Sequence, residues 1–144
     1  MTKYFVAIAG NIGVGKSTLT TLMTQKLGWD PFFEAVEENP YLADFYKDMS
    51  RWSFHSQAFF LSRRLQQHYE LLQRADSVLQ DRSVYEDAEV FARNLYRQGN
   101  MSQRDWQTYY YLYTILSQLL TPPHLDLYLK ASVPTLIRLI EQRG

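Results

Sequence analysis

A glycine-rich segment near the N-terminus constrains this chain more than any other feature. Residues 10–17 read Gly-Asn-Ile-Gly-Val-Gly-Lys-Ser, which satisfies the pattern G-x-x-x-x-G-K-[ST] at every fixed position. A short apolar run over residues 4–9 precedes the segment, and a helical pattern over residues 16–27 follows it, with Gly28 placed to end the helix. The segment therefore predicts a strand, a phosphate-binding loop and a helix, in that order.

The residues of this loop have separate expected roles. Glycines let the backbone curl so that its N–H groups point at phosphate oxygens, and the start of the helix adds a positive partial charge. Lys16 is expected to reach the β- and γ-phosphates of ATP, and the Ser17 hydroxyl to ligate Mg²⁺. The predicted ATP-binding residues are Gly10, Asn11, Ile12, Gly13, Val14, Gly15, Lys16, Ser17 and Thr18. The alternative is a glycine-rich turn without a ligand, and the motif by itself indicates a binding mode rather than a reaction.

Strand and helix patterns alternate along the rest of the chain. The predicted strands lie within residues 30–36, 77–80 and 125–129. The predicted helices cover residues 41–47, 53–74, 84–95 (ending near Gly99), 106–120 and 135–142. Alternation of this kind is typical of a parallel sheet covered by helices. We therefore predict an α/β fold of the P-loop NTPase type, a parallel β-sheet flanked by α-helices, in a single domain over residues 1–144.

Composition argues against several classes of partner. The chain has 15 basic and 15 acidic side chains and a formal net charge of zero, which gives no general attraction to a nucleic-acid polymer. It has no cysteine, which excludes disulfides and thiolate metal sites and suits a reducing cytoplasm. No apolar run approaches the roughly 20 residues of a membrane span, and no signal-peptide pattern precedes the first strand. We expect a cytoplasmic protein without a polymer or membrane partner.

Polar residues follow two of the predicted strands. Glu34 ends the second apolar run, and Asp81 and Arg82 end the third. Strand ends at one edge of a parallel sheet line the ligand crevice, so we expect these side chains near the γ-phosphate. A carboxylate there can accept a hydroxyl proton (Glu34), a cation can stabilise the transferred phosphoryl group (Arg82), and an acid can hold Mg²⁺ through water (Asp81). Alternatively, Glu34 is a solvated loop residue, Arg82 pairs with a nearby acid, and Asp81 caps the next helix.

The long predicted helix carries a possible nucleobase site. Gln57 and Arg64 are seven residues apart, about two turns, so they share a face, and Phe60 lies between them. An amide, a guanidinium and an aromatic ring could read and stack on a base, although exposed Gln and Arg are common on helices. The histidines lack metal-ligand spacing. Trp106 and the tyrosines at 109–111 are expected to fill a helix interface rather than bind a cofactor.

Taken together, these segments resemble the deoxynucleoside kinase family, in its deoxyadenosine, deoxyguanosine and deoxycytidine kinase branch. The phosphate loop, Glu34-Ala35-Val36, Trp52-Ser53-Phe54-x-x-Gln57 and Asp81-Arg82-Ser83 match the family's motifs in order, with alanine in place of the family's proline after the glutamate. The resemblance implies that Glu34 is the general base for the 5′-hydroxyl and that Arg82 lies near the 5′-oxygen and the phosphates.

The same resemblance assigns the acceptor-binding residues. Tyr46 falls where the family has a tyrosine that bonds the sugar 3′-hydroxyl, and Gln57 where it has a base-reading glutamine. Arg64 and Asp87 fall where an arginine and an aspartate pair beside the base. Since thymidine-preferring members tend to carry a small residue at the Asp87 position, the resemblance favours deoxyadenosine, deoxyguanosine or deoxycytidine. The implied activity is ATP- and Mg²⁺-dependent 5′-phosphorylation in nucleotide salvage. The resemblance also implies a homodimer that pairs through helices.

One departure from the family pattern leaves two alternatives open. The family continues into an arginine-rich lid, whereas this sequence stops where the lid is expected to begin, so we expect a domain that is incomplete at its C-terminus. A nucleotide-binding core without turnover is therefore one alternative, since lids complete many active sites. Another small-molecule P-loop kinase is the second. The sequence does not distinguish the preferred base, the oligomeric state or a feedback inhibitor.

Overall fold

A computed structural model describes residues 3–10, 15–33 and 39–129 of the chain. In chain order, the elements are β1 (Phe5–Gly10), α1 (Lys16–Leu27), β2 (Asp30–Phe32), α2 (Leu42–Lys47), α3 (Met49–Leu72), β3 (Val78–Asp81), α4 (Val84–Glu86), a π-helix (Asp87–Ala92), α5 (Arg93–Arg97), α6 (Gln103–Ser117) and β4 (Leu125–Leu129). Within those residues, none of the helices has the length and apolar character needed to cross a membrane. The elements form two compact units.

The first unit, called the sheet unit, takes its described residues from the segments 1–34, 73–83 and 122–144. Its four strands are all parallel, in the order β2-β3-β1-β4. Val6 and Ile8 of β1 project to one face, because side chains alternate along a strand, and they form a buried cluster with Leu79 of β3. Leu19 and Met23 of α1 pack against that cluster. The predicted parallel sheet flanked by helices is confirmed.

The second unit, called the helical unit, comprises the described residues of 35–72 and 84–121. It contains α2 to α6 and the π-helix, and it has a core of its own. That core is formed by Leu61, Val84, Ala88, Ala92, Met101, Trp106, Tyr109 and Tyr113. The prediction that Trp106 and the tyrosines at 109–111 fill a helix interface is confirmed for Trp106 and Tyr109, which are buried there, and for Tyr110, which packs against the core. It is wrong for Tyr111, which is 69% exposed. The prediction of one domain over the whole chain stays a prediction.

Local chemistry sets two helix ends, of which the end of α1 lies where the sequence predicts it. Gly28 has a left-handed backbone (φ 71°, ψ 20°), and its N–H donates to the Thr24 carbonyl, so it terminates α1 as predicted. The Ser102 hydroxyl accepts a hydrogen bond from the Asp105 N–H at 3.1 Å, which caps the start of α6. Because Ser102 is the cap, α6 begins at Gln103, three residues before the predicted start.

The start of α3 was predicted wrongly. The apolar stripe predicts a helix from residue 53, but α3 begins at Met49. Asp48 supplies the reason, since its carboxylate accepts a hydrogen bond from the Arg51 N–H at 3.3 Å and its carbonyl accepts one from the Trp52 N–H at 3.2 Å. Both contacts are those of an N-cap residue. The predicted helix over residues 135–142 lies outside the described residues.

Two further features of the helices were not predicted. Leu22 and Leu27 are apolar residues of the predicted helix over residues 16–27, yet their side chains are 54% and 49% exposed. The segment predicted as one helix over residues 84–95 is interrupted by the π-helix Asp87–Ala92. A π-helical turn widens the backbone by one residue and rotates the side chains that flank it. The residue at which it begins, Asp87, is one of the predicted site residues.

Candidate active site

Three predicted phosphate-site residues of the sheet unit are in direct contact. The Lys16 ammonium donates to Asp81 Oδ1 at 3.1 Å, and the Ser17 hydroxyl donates to Asp81 Oδ2 at 2.9 Å. Asp81 ends β3 directly opposite Ile8 of β1, and α1 begins at Lys16. The Asp81 side chain is 1% exposed and that of Lys16 is 8% exposed. The end of β3 and the start of α1 therefore bring a cation, a hydroxyl and a carboxylate together, as the sequence predicts.

The glycines that flank the loop have the backbone conformations that such a loop needs. Gly15, the residue before α1, has φ 98° and ψ 24°, a left-handed conformation in which any side chain would be strained. Gly10 also has a positive φ, of 152°. Thr18 is exposed on the first turn of α1. The predicted loop residues Asn11, Ile12, Gly13 and Val14 lie outside the described residues.

Arg82 has the most unusual backbone of the predicted site residues. Among the described residues, it is the one non-glycine residue with a positive φ, at 75°. Its N–H donates to the Ile8 carbonyl at 2.9 Å, and its side chain is buried. A left-handed arginine is strained, because its Cβ approaches its own carbonyl oxygen. Strain of this kind is retained mainly at functional sites, so the geometry supports a functional role for this position.

The oxygen atoms at Asp81 and Ser17 fit a hard cation. Mg²⁺ prefers carboxylate and hydroxyl oxygens, and it is usually held by one or two protein groups together with phosphate oxygens and water. The Asp81 carboxylate and the Ser17 hydroxyl lie within 2.9 Å of each other at the start of α1. In the described part of the chain, no cluster of three or more His, Cys, Asp or Glu side chains forms a separate metal site. The donor set therefore fits a metal that arrives with a nucleotide.

Two predicted acceptor-site residues of the helical unit form a buried ion pair. Arg64 Nε donates to Asp87 Oδ2 at 2.9 Å, and the two side chains are 7% and 9% exposed. A second guanidinium nitrogen of Arg64 donates to Gln67 Oε1 at 3.2 Å. Burying two charges is unfavourable unless they are paired and hydrogen bonded, so this pair is a specific structure and not a chance surface contact. The structure thus brings Arg64 and Asp87 together, while their role in base binding stays a prediction.

The remaining predicted acceptor residues differ in exposure. Gln57 lies on α3 and is 7% exposed, so it is buried like Arg64 two turns later, as a shared helix face predicts. Tyr46 lies on α2 and is 67% exposed. Glu34, the predicted general base, lies outside the described residues. Its role stays a prediction.

An aromatic and charged network stabilises the packing of the π-helix and α6 in the helical unit. Glu89 accepts hydrogen bonds from Arg93 at 2.6 Å and from the Tyr110 hydroxyl at 2.8 Å. The hydrogen bond to Glu89 raises the pKa of Tyr110. The Arg93 guanidinium lies 5.4 Å from the centroid of the Trp106 ring, within the range of a cation–π contact. Sequence reasoning missed this network, although the four-residue spacing of Glu89 and Arg93 is typical of a helical ion pair.

Comparison with known proteins links this geometry to one family. A family model described as "Deoxynucleoside kinase" matches residues 6–144. The deoxyadenosine/deoxycytidine kinase of Bacillus subtilis (strain 168) is 41% identical over 143 residues, which cover 96% of this chain and 65% of the relative. The deoxyguanosine kinase of the same organism is 38% identical over 144 residues, covering 97% of this chain and 67% of the relative. The chain thus spans about two thirds of the length of these curated relatives.

Solved structures give the same result for the fold. A deoxyadenosine kinase from M. mycoides, with the products dCMP and a flexible dCDP bound, is similar to this chain with a TM-score of 0.84 and 34% identity. The similarity covers 97% of this chain and 71% of that protein. The same kinase with bound dATP has a TM-score of 0.83. These similarities agree with the P-loop NTPase-type sheet described above.

Proposed function

The chain belongs to the deoxynucleoside kinase family, and on that premise we propose that it transfers the γ-phosphate of ATP to the 5′-hydroxyl of a deoxynucleoside in nucleotide salvage. The observation that carries the proposal is the contact of Lys16 and Ser17 with Asp81 at the start of α1. These are the groups that a P-loop kinase uses on the phosphates and their metal. The proposed acceptors are deoxyadenosine, deoxyguanosine and deoxycytidine.

The phosphate side of the reaction is assigned to the sheet unit. Backbone N–H groups of residues 10–18 would hold the ATP phosphates, since a curled glycine-rich backbone points them inward. Lys16, whose ammonium donates to Asp81, would exchange that contact for phosphate oxygens. Ser17 would bind Mg²⁺ directly, and Asp81 would hold it through water. The ion would place positive charge beside the phosphate oxygens. The Arg82 guanidinium would stabilise the negative charge of the group being transferred.

The acceptor side is assigned to Glu34 and to residues of the helical unit. Glu34 would accept the proton of the 5′-hydroxyl, as a kinase with an alcohol acceptor requires. Tyr46 would bond the sugar 3′-hydroxyl, and Gln57 would read the base. The buried pair of Arg64 and Asp87 would present a donor and an acceptor side by side, which suits a base that carries both an amino group and a ring nitrogen. This pair supports the choice of deoxyadenosine, deoxyguanosine or deoxycytidine over thymidine.

Location and assembly complete the proposal. We propose a cytoplasmic protein, which the absence of cysteine suits. We also propose a homodimer through α6, because an apolar stripe on that helix is exposed to solvent in the described chain. The stripe consists of Leu112, Ile115 and Leu116, with exposed fractions of 41%, 44% and 37%. Leu119, two residues past the end of α6, is 78% exposed. Burying such a stripe against a second copy would remove it from water.

The test supplies the purified protein with Mg-ATP and each of the four common deoxynucleosides in turn, and it measures the 5′-monophosphate formed. We expect product from at least one of deoxyadenosine, deoxyguanosine and deoxycytidine. Lys16→Met should lower kcat by about 10²–10³-fold, because a positioned cation on the phosphates is lost. Lys26→Met is the matched control, since Lys26 is an exposed lysine in the last turn of the same helix, and it should leave kcat unchanged.

The general-base assignment has a separate test. Glu34→Gln should abolish turnover but leave deoxynucleoside binding largely intact, because glutamine keeps the size and hydrogen-bonding capacity of the side chain without its basicity. Equal loss of binding would contradict the base role. Binding of a deoxynucleoside without any turnover by the unmodified chain would favour a nucleotide-binding core instead of a kinase. Absence of both binding and turnover would refute the proposed function.

A further inference from the structure

Helix α3 carries two arginine–glutamine pairs with the same spacing of three residues. Arg63 and Gln66 form the first pair, and Arg64 and Gln67 form the second. Residues three apart lie on the same side of a helix, so each glutamine is within reach of its arginine. In the first pair, which is exposed, Arg63 Nη1 and Gln66 Oε1 are 3.5 Å apart. In the second pair, Arg64 is buried, and its Nη1 donates to Gln67 Oε1 at 3.2 Å. The same pattern therefore occurs once on a solvent-exposed face and once at the proposed acceptor site.

Gln67 and Asp87 bond to different nitrogens of the Arg64 guanidinium. Asp87 Oδ2 accepts from Nε at 2.9 Å, whereas Gln67 Oε1 accepts from the terminal nitrogen Nη1. The N–H bonds of these two nitrogens leave the planar group in different directions, so bonds to both of them fix the orientation of its plane. Because the amide of Gln67 is neutral, it provides this bond without adding a second negative charge to the buried ion pair.

The orientation of that plane matters for a guanidinium that takes part in base recognition. Nucleobases are planar, and their edges present hydrogen-bond donors and acceptors in fixed directions. A side chain matches such an edge only where its own donors or acceptors lie in the plane of the base. Arg64 can serve recognition directly or by holding the Asp87 carboxylate, and both roles require a guanidinium of fixed orientation.

We propose that Gln67 is a positioning residue for base recognition: its amide oxygen sets the plane of the Arg64 guanidinium and, through the bond from Arg64 to Asp87, the orientation of the Asp87 carboxylate. This inference rests on the proposed function of the Arg64–Asp87 pair. The bases concerned are those assigned above to that pair, which carry both an amino group and a ring nitrogen. Arg64 and Gln67 lie on the same helix, so α3 itself brings the amide to the guanidinium.

The experiment measures kcat and KM for deoxyadenosine, deoxyguanosine and deoxycytidine at saturating Mg-ATP, and KM for ATP in a separate titration. The proteins are the unmodified chain, Gln67→Met and Gln66→Met. Methionine has nearly the length and helix propensity of glutamine but lacks the amide oxygen. We expect Gln67→Met to raise KM for the preferred deoxynucleoside about tenfold, as for loss of a hydrogen bond to a charged group. Because the bond serves binding of the base, kcat should stay within about twofold and KM for ATP should not change.

Gln66→Met is the matched control, because it removes the same amide from the exposed pair. It should leave all of these kinetic constants unchanged. A second measurement tests whether the effect passes through the guanidinium. In an Arg64→Met background, Gln67→Met should cause no further rise in KM for the deoxynucleoside. If that background is inactive, the comparison of Gln67→Met with Gln66→Met decides by itself.

The outcomes separate this inference from the proposed function. An unchanged KM in Gln67→Met, an equal rise in Gln66→Met, or a rise that persists in the Arg64→Met background would each overturn the inference and leave the kinase activity standing. Loss of the folded state in Gln67→Met, or a lower kcat with an unchanged KM, would assign Gln67 a structural role and overturn it as well. If the unmodified chain phosphorylates none of the three deoxynucleosides, the proposed function fails and the inference fails with it.

Discussion

Arg82 offers a test of strain at the proposed site. Its φ of 75° lies in the left-handed region, which costs an L-residue about 1–2 kcal/mol and costs glycine almost nothing. Arg82→Gly and Arg82→Ala both remove the guanidinium and its contacts, so their difference isolates the backbone. Glycine relieves the strain, but it also makes the unfolded chain more flexible, which destabilises the fold by about 0.4–1 kcal/mol. The balance favours glycine over alanine by about 0.5–1 kcal/mol.

The assay is urea unfolding of both variants, followed by circular dichroism, with thermal unfolding as a second measurement. Arg82→Gly should unfold at a temperature about 2 °C higher than Arg82→Ala. Ser83 is the matched control position, because it is the next residue, it is buried, and its φ is not positive. There, glycine should be less stable than alanine by about 0.4–1 kcal/mol, the ordinary order.

The sign of the difference decides the question. If Arg82→Gly is less stable than Arg82→Ala, as at Ser83, the left-handed conformation is not strained and the reasoning is refuted. Turnover provides an independent measurement, since both Arg82 variants lack the cation proposed to stabilise the transferred group. Both should lose activity to the same extent, about 10²-fold or more. Activity that follows stability instead would indicate that the residue has a structural role only.

Three further predictions concern the helical unit. Asp87→Ala leaves the Arg64 guanidinium buried without the Asp87 carboxylate, so urea unfolding should show that the free energy of unfolding falls by about 3–5 kcal/mol. Adding Arg64→Met should recover part of this loss. Additive losses in the two variants would contradict the pairing. Burial lowers the pKa of His68 from its ordinary value of 6.5. Near and below pH 6.5, the unfolded chain therefore binds more protons than the folded chain, and the free energy of unfolding should fall as the pH drops below about 6.5. A His68→Gln variant with the same pH dependence would contradict this explanation. Ser102→Ala removes the cap that accepts from the Asp105 N–H, and it should cost about 1 kcal/mol in the same assay, whereas an unchanged midpoint would mean that water replaces the cap.

Some boundaries and contacts were predictable because their causes are local. Gly28 ends α1 in a left-handed conformation that glycine adopts without strain, and Ser102 caps α6 through its own side chain. The cap at Asp48 also has a local cause, but the apolar stripe begins later and predicts a start of α3 at residue 53. An acidic residue that precedes a helical pattern is a stronger start signal than the first apolar residue of the stripe.

The contacts among site residues were predictable to different degrees. The meeting of Lys16, Ser17 and Asp81 follows from a parallel sheet, in which the ends of β1 and β3 lie at one edge. The pairing of Arg64 with Asp87 joins residues that are 23 positions apart, and only the resemblance to a family suggested it. Nothing in the pattern over residues 84–95 distinguishes a π-helix from an α-helix, because the apolar spacing serves both over so few residues.

The sequence by itself determined the phosphate loop, the α/β class, the helix ends that have their own caps, and the family. These depend on backbone freedom and side-chain chemistry within a few residues, or on motifs that keep their order. Only the tertiary structure decided that Leu22 is exposed while Leu19 is packed, that Arg82 is left-handed, and that the Tyr109 hydroxyl is buried without a hydrogen-bond partner among the described residues. Exposure, strain and the satisfaction of a buried polar group depend on which distant segments pack against a residue, and no local pattern specifies those segments.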